Sequence, residues 1–431
     1  MISGAITAVV IPYFLTGAEQ GLFFSYVSIA AIQTLLEAGI TSVFFNFVAH
    51  EWGLLTATPS PPLEDRTRIA RRLKHILGMS QQWFVFLAIF FTVVVGILGF
   101  YFLSSSADIE SSAINWQSSY CLLIVAIALS FLNMSRVPIL EGIGQIAKVA
   151  KFRFRSNALS ATFLWAGIVF GLGVWALALS YLIQSVFMAL QIHFSLREDP
   201  LFSRPIDVTK KNNEIEWRSE IFPLQLRLAG SYLCGYFITQ SIVPFTLHFY
   251  GLKVAGQVGL MLSVFNSLAV ILASYMYVTG PKYASLIAQR NFKKVFDLFK
   301  NVTTISVLGS IIVYMLVVAC VYILANYSIP ISLRITDGQT TFYMAIIGIV
   351  NAYVGSSAIL LRAEKREPML IISVWIAVGY FFSMLLLRNS SLISLFMAFS
   401  LVQLCLALPL TTLAVKNSDV YRQHHMKLRI E

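Results

Sequence analysis

Long apolar runs alternate with short polar connections along the chain, and the runs set the expected architecture. They cover Leu22–Val48, Trp83–Leu103, Trp116–Met134, Ala158–Leu172, Val174–Phe194, Ile221–Phe245, Val258–Tyr277, Val302–Ala325, Phe342–Leu361, Met369–Leu387 and Leu392–Val415. A helix of about 20 apolar residues crosses the hydrocarbon core of a bilayer. With the opening run Ile2–Leu15, the pattern predicts an all-α polytopic membrane protein with about twelve transmembrane helices. Ile2–Leu15 is too short to cross alone and is read as a truncated first span, as a span whose start lies upstream, or as an interfacial run; the charge alternation requires its end to be external. Ala158–Leu172 is also short unless its basic N-terminal flank snorkels to the surface.

The polar connections carry the orientation. One set holds Arg66, Arg68, Arg71, Arg72 and Lys74, then Arg136, Lys148, Lys151, Arg153 and Arg155, then Arg197, Arg204, Lys210, Lys211 and Arg218. It continues with Lys282, Arg290, Lys293, Lys294 and Lys300, then Arg362, Lys365 and Arg366, and ends with Lys416, Arg422, Lys427 and Arg429. Of the 31 Lys and Arg residues only Lys253, Arg334, Arg388 and Arg227 fall elsewhere. Basic loops stay on the cytoplasmic side, so this alternation predicts a cytoplasmic C-terminus.

Composition agrees. Hydrophobic residues make up 58% and charged residues 12%, against about 25% charged in a typical soluble chain. The net charge of +11 is therefore read as membrane orientation, not as a nucleic-acid surface. Cys121, Cys234, Cys320 and Cys405 stand singly, without the paired spacing of a zinc site or disulfide framework. No GxxxxGK[ST] loop is present, so the chain carries no P-loop ATPase site.

Two segments echo each other. Glu19-Gln20-Gly21-Leu22-Phe23-Phe24-Ser25 and Gln257-Val258-Gly259-Leu260-Met261-Leu262-Ser263 share a GLxxS frame, and each opens a span from the outer side. A parallel repeat of six plus six spans would enclose a central cavity near the bilayer midplane. The expected organisation is an N-terminal lobe over 1–200, a linker over 201–218, a C-terminal lobe over 219–416 and a basic tail over 417–431.

Polar residues inside the apolar runs are the candidate chemistry. Arg227 lies in Ile221–Phe245 and Glu37 in Leu22–Val48. A charge at membrane depth costs about 2.5–3.5 kcal/mol on insertion scales and usually faces protein or a water-filled cavity. Gln33, Glu37 and Thr41 are spaced as one stripe of a continuous helix, read either as a cavity lining or as interhelical glue. Arg227 and Ser231 share a face of the helix expected over Ile221–Phe245. The guanidinium suits phosphate, while pairing with a carboxylate or snorkelling are competing readings. Asn266 and Asn351 are further candidate lining residues. Arg136, Arg153 and Arg155 stand at cytoplasmic helix ends, as headgroup-capturing residues or as topological anchors.

The stretch Pro12-Tyr13-Phe14-Leu15 to Glu19-Gln20-Gly21, followed by Leu36-Glu37-Ala38-Gly39-Ile40, resembles the start of bacterial polysaccharide flippases. These belong to the multidrug/oligosaccharidyl-lipid/polysaccharide (MOP) exporter superfamily. Leu226-Arg227-Leu228-Ala229, Ala255-Gly256-Gln257, Pro281-Lys282-Tyr283 and Leu286-Ile287-Ala288 resemble that family's second half. The resemblance implies a MATE-like fold of two pseudo-symmetric six-helix lobes around a central cavity. It implies an O-antigen or lipopolysaccharide-type flippase of the bacterial inner membrane. Its cargo would be undecaprenyl-pyrophosphate-linked oligosaccharide, moved to the periplasmic leaflet by alternating access. Membrane lipid and other polysaccharide-assembly proteins are the expected partners. No cofactor is expected; coupling to a proton or sodium gradient fits such a mechanism, and the ion stays open. The rivals are a multidrug or cation antiporter of the same superfamily and a membrane polysaccharide polymerase or ligase. The second would need a sizeable external catalytic loop, and the external connections here are short.

Overall fold

The computed structural model describes residues 2–37, 39–55, 62–106, 114–197, 230, 233–364 and 369–427. Among them the regular structure is entirely helical. Helices α1 (Ile2–Phe14), α2 (Gly17–Glu37), α3 (Ile40–Leu55) and α4 (Leu63–Phe90) open the chain. A single π turn, Phe91–Val95, joins α4 to α5 (Gly96–Ser106). Then follow α6 (Trp116–Met134), the short α7 (Val137–Gly142), α8 (Ile146–Val169) and α9 (Trp175–Arg197). After a helical stretch α10 (233–240) come α11 (Ile242–Tyr250), α12 (Leu252–Ala288), α13 (Phe292–Asn326) and α14 (Gly338–Ala363). The chain closes with α15 (Met369–Leu387), α16 (Leu392–Val402), α17 (Leu408–Lys416) and the tail helix α18 (Asp419–Lys427).

Among the described residues eight helices are long and apolar enough to cross a membrane, or nine if the bent pair α2–α3 is one span. Helices α6 and α15 match their expected spans residue for residue. The remaining expected spans differ for physical reasons. Helix α1 has 13 residues, short for a crossing. Helix α8 has 24 residues, but it starts at Ile146 and so takes up Lys148, Lys151, Arg153 and Arg155, which leaves its apolar part short. Residues 221–229 and 231–232 of the expected span Ile221–Phe245 lie outside the described residues, and its described end bends at Ser241. Helix α12 runs through Pro281 and the chain turns only at Arg290, where φ is 55°.

One expectation fails outright. Leu22–Val48 is not one continuous helix: α2 and α3 are bent by 41°. Gly39 has φ 73°, a left-handed conformation that glycine adopts freely and that commonly ends a helix. Gln33 and Glu37 therefore lie on α2, whereas Thr41 opens α3.

The chain divides into two compact units, one of Met1–Ser25 with Phe237–Glu431 and the other of Tyr26–Tyr236. Their bounds differ from the sequence halves, because the chain changes unit inside α2. In the Tyr26–Tyr236 unit, α9 packs against α6 and α8, and α3 packs against α4 and α7. Polar ties run through this apolar packing. Asn133 donates to the Ser185 carbonyl at 2.7 Å, Ser185 to the Ala126 carbonyl at 3.0 Å, and Tyr26 to the Trp116 carbonyl at 2.7 Å. Side-chain hydrogen bonds of this kind hold membrane helices together where lipid supplies no hydrophobic drive between them. Gly167 of α8 leaves room for Ala176 of α9, while Gly171 belongs to the turn after α8.

In the other unit α14 packs against α13, α12 and α16. Its core holds stacked aromatic pairs, Phe265 on Tyr314 with ring centres 4.9 Å apart and Tyr380 on Phe399 at 4.3 Å. Glu364 caps the tail helix by accepting from the backbone N–H of Val420 at 3.0 Å and of Asp419 at 3.3 Å.

Candidate functional site

Within the Tyr26–Tyr236 unit, the α2–α3 break brings together Glu37, Thr41 and Arg153 of the expected polar residues. Glu37 is the last residue of α2, half-buried, with Thr41 beside it on α3. Arg153 of α8 lies within electrostatic range of Glu37, and its Nη2 stands 3.0 Å from Glu141 Oε1. About half of the Arg153 side chain remains accessible. Exposed pairs of this kind contribute only about 0–1 kcal/mol, so the Glu141 contact aims the guanidinium more than it stabilises the fold. Gln33 is bound elsewhere. Its amide donates to Ser130 Oγ at 3.0 Å and lies 3.1 Å from Met134 sulfur, tying α2 to α6. Arg136 is half-buried at the start of α7 and Arg155 is exposed on α8; neither makes an ion pair among the described residues. Sequence reasoning passed over Glu141, because the carboxylate precedes a turn at Gly142–Gly144 and shows no periodicity with Arg153.

The break itself is testable. A Cβ at Gly39 would hold a non-glycine residue in the left-handed region, at about 1–2 kcal/mol. Gly39→Ala should lower the thermal midpoint of the detergent-solubilised protein. Gly78→Ala, whose Cβ meets nothing within 4 Å, should not lower it. Equal midpoints for the two variants would mean that the break does not depend on glycine.

In the other unit Asn266 of α12 and Asn351 of α14 meet at one cavity of about 190 Å³. Phe265, Tyr314, Tyr380 and Phe396 supply aromatic walls, and Ser310 and Thr239 add hydroxyls. The hollow exists because facing positions are small. Gly348, Ala352 and Gly355 recur along α14, opposite Ala269 and Ala273 of α12. The cavity has no Asp, Glu, Lys, Arg or His in its lining. Asn266 and Asn351 were legible as lone amides in apolar runs; the small-residue face was present in the sequence but reads equally well as helix packing.

The two GLxxS segments come into contact inside the same unit. The start of α2 packs on the start of α12, with Gly21 against the Leu252 carbonyl and Gly259 against the Phe24 ring. A Cβ at Gly256 would lie 2.8 Å from the Gly21 nitrogen. Buried Gln20 donates from Nε2 to the carbonyls of Gly256 and Arg334, each at 2.9 Å, and Gln257 donates to the Leu333 carbonyl at 3.0 Å. Thr16 and Glu19 cap α2 reciprocally: the Thr16 N–H donates to Glu19 Oε2 at 2.8 Å and the Glu19 N–H to Thr16 Oγ1 at 3.2 Å.

Arg227 and Ser231 lie outside the described residues. Among the described residues no group of His, Cys, Asp and Glu is arranged to hold a metal ion. Glu51 is buried at 3% exposure, with its Oε1 3.3 Å from Arg72 Nε.

No family model and no curated protein matches the sequence. Solved structures do match over nearly the whole chain. An inward-facing multidrug-resistance MATE transporter of the MOP superfamily is 14% identical, with a TM-score of 0.61, and the match covers 96% of this chain and 98% of that one. The lipid II flippase MurJ in an inward closed conformation is 12% identical, with a TM-score of 0.62, covering 96% and 87%. A MOP-superfamily transporter from Pyrococcus furiosus is 13% identical, with a TM-score of 0.52, covering 99% and 92%. The fold is that of the MOP-superfamily transporters. The similar structures are transporters and flippases rather than enzymes, and the chain is a multi-pass membrane protein.

Proposed function

We propose that the chain is a flippase for lipid-linked oligosaccharides. It would move undecaprenyl-pyrophosphate-linked repeat units from the cytoplasmic to the periplasmic leaflet of the bacterial inner membrane by alternating access, with its C-terminus cytoplasmic. The observation that carries this reading is the basic opening of α8. Lys148, Lys151, Arg153 and Arg155 all lie on the helix that continues into the apolar Ala158–Val169 stretch. Arg153 is accessible and aimed by Glu141. A guanidinium with free N–H groups attracts phosphate and repels a cationic drug. Arg227 is assigned to the same anionic headgroup deeper in the membrane, on its sequence position alone. Glu37 supports the second reading, a cation antiporter, since an intramembrane carboxylate suits a cation or proton.

Proteoliposomes separate the two. The purified chain should translocate undecaprenyl-pyrophosphate-linked oligosaccharide, and Arg227→Ala should reduce that rate at least roughly tenfold, the loss of one strong charge-assisted contact, at unchanged protein level. Ethidium transport, lost in Glu37→Gln and untouched by Arg227→Ala, would replace the flippase reading by the antiporter.

A further inference from the structure

The cavity shared by α12 and α14 combines features that restrict its occupant. Asn266 and Asn351 both expose their amides to it, and among the described residues neither amide makes a hydrogen bond to protein. Both residues are exposed rather than buried, so an occupant that donates and accepts hydrogen bonds can pair with amides that no described protein group holds. An acyl chain can do neither. The absence of a cationic side chain in the lining leaves a bound phosphate without a counter-charge. Stacked Phe265 and Tyr314 present a flat apolar wall, against which a ring can lie while its edge hydroxyls reach the amides. The volume of about 190 Å³ exceeds the roughly 150 Å³ of an engineered protein cavity that accepts a benzene ring. It therefore has room for one ring.

We propose that this cavity is a subsite for a single uncharged sugar ring of the transported glycan. The proposal rests on the lipid-linked oligosaccharide reading. The pyrophosphate would be held elsewhere, by the arginines, so that headgroup and sugar are recognised by separate parts of the chain. Amides and ring faces are also tolerant partners, because hydroxyls at several positions of a pyranose satisfy them equally well.

Native mass spectrometry of the full chain tests this with two probes: undecaprenyl pyrophosphate, and the same lipid bearing a neutral trisaccharide. The wild type should bind the glycosylated lipid roughly tenfold tighter, the worth of about one well-made hydrogen-bond set. The double variant Asn266→Leu, Asn351→Leu should lose that preference. Ala352→Phe, which fills the hollow and leaves both amides in place, should lose it too and serves if the double variant does not fold. Equal binding of both lipids by the wild type, or a preference that survives in the variants, overturns the sugar subsite while leaving the flippase reading intact. Binding of neither lipid removes the flippase reading and this proposal with it. Tetraphenylphosphonium captured by the wild type and lost in the variants would overturn the sugar subsite in favour of a drug pocket.

Discussion

Gly21→Val is expected to abolish the proposed transport and to lower the thermal midpoint by several degrees. Gly21 is where α2 comes closest to α12: a Cβ there would overlap the Leu252 carbonyl oxygen and would lie 2.8 Å from the Leu252 side chain. The obstacle is backbone, so no rotamer change relieves it. The helices must separate, and separation breaks what surrounds the contact. Gln20 would lose its two backbone acceptors, the Gly256 and Arg334 carbonyls, and Phe24 would leave Gly259. Inserting volume into a packed contact costs about 1–3 kcal/mol, and buried polar groups left without partners add about 1–3 kcal/mol each. Transport in proteoliposomes and thermal unfolding in detergent read the two effects separately. Gly21→Ala should show the same direction with smaller loss, and Leu252→Ala should not rescue either, because the carbonyl stays. Wild-type transport by Gly21→Val would mean that the contact has no part in the cycle.

The sequence showed this contact only halfway. The shared GLxxS frame marked Gly21 and Gly259 as equivalent positions, but equivalence says nothing about touching. What brings them together is a loop-distant packing of small residues, and small residues leave no periodic signature of their own. The span pattern was far more legible, since twenty apolar residues in a row have few alternatives to a membrane helix. Met369–Leu387 and Trp116–Met134 could be read to the residue for that reason. Glu37 shows the limit. Its apolar surroundings fixed the run as a membrane segment, yet one glycine, Gly39 at φ 73°, split the run and moved Thr41 onto another helix. Hydropathy windows average over such a residue. Asn266 and Asn351 stood out as lone amides, and the distance along the chain between them hid that they face the same hollow. Arg72 stood among the basic residues of a connection, and its pairing with Glu51 stayed hidden because it depends on α3 and α4 lying side by side.

That pair gives the second large effect. Glu51 is 3% exposed, whereas about a quarter of the Arg72 side chain reaches the surface. The two ends of the ion pair are thus unequal. In Arg72→Met the Glu51 carboxylate stays buried with its cation gone, a loss of about 3–5 kcal/mol for a broken buried pair. His50 Nδ1 lies 3.8 Å from the same carboxylate, but its side chain is 71% exposed and too well solvated to replace a buried guanidinium. In Glu51→Gln the remaining arginine can turn outward to water, so the loss should be distinctly smaller. The double variant Glu51→Gln, Arg72→Met removes both charges and should recover most of the stability, since replacing a buried pair by neutral groups of similar volume is often close to neutral. Chemical unfolding of the four proteins forms a closed cycle, in which residues in contact show coupling of about 0.5–3 kcal/mol. A cycle whose two single losses simply add would mean that α3 and α4 are held by their apolar faces alone, with Glu51 satisfied by some other group.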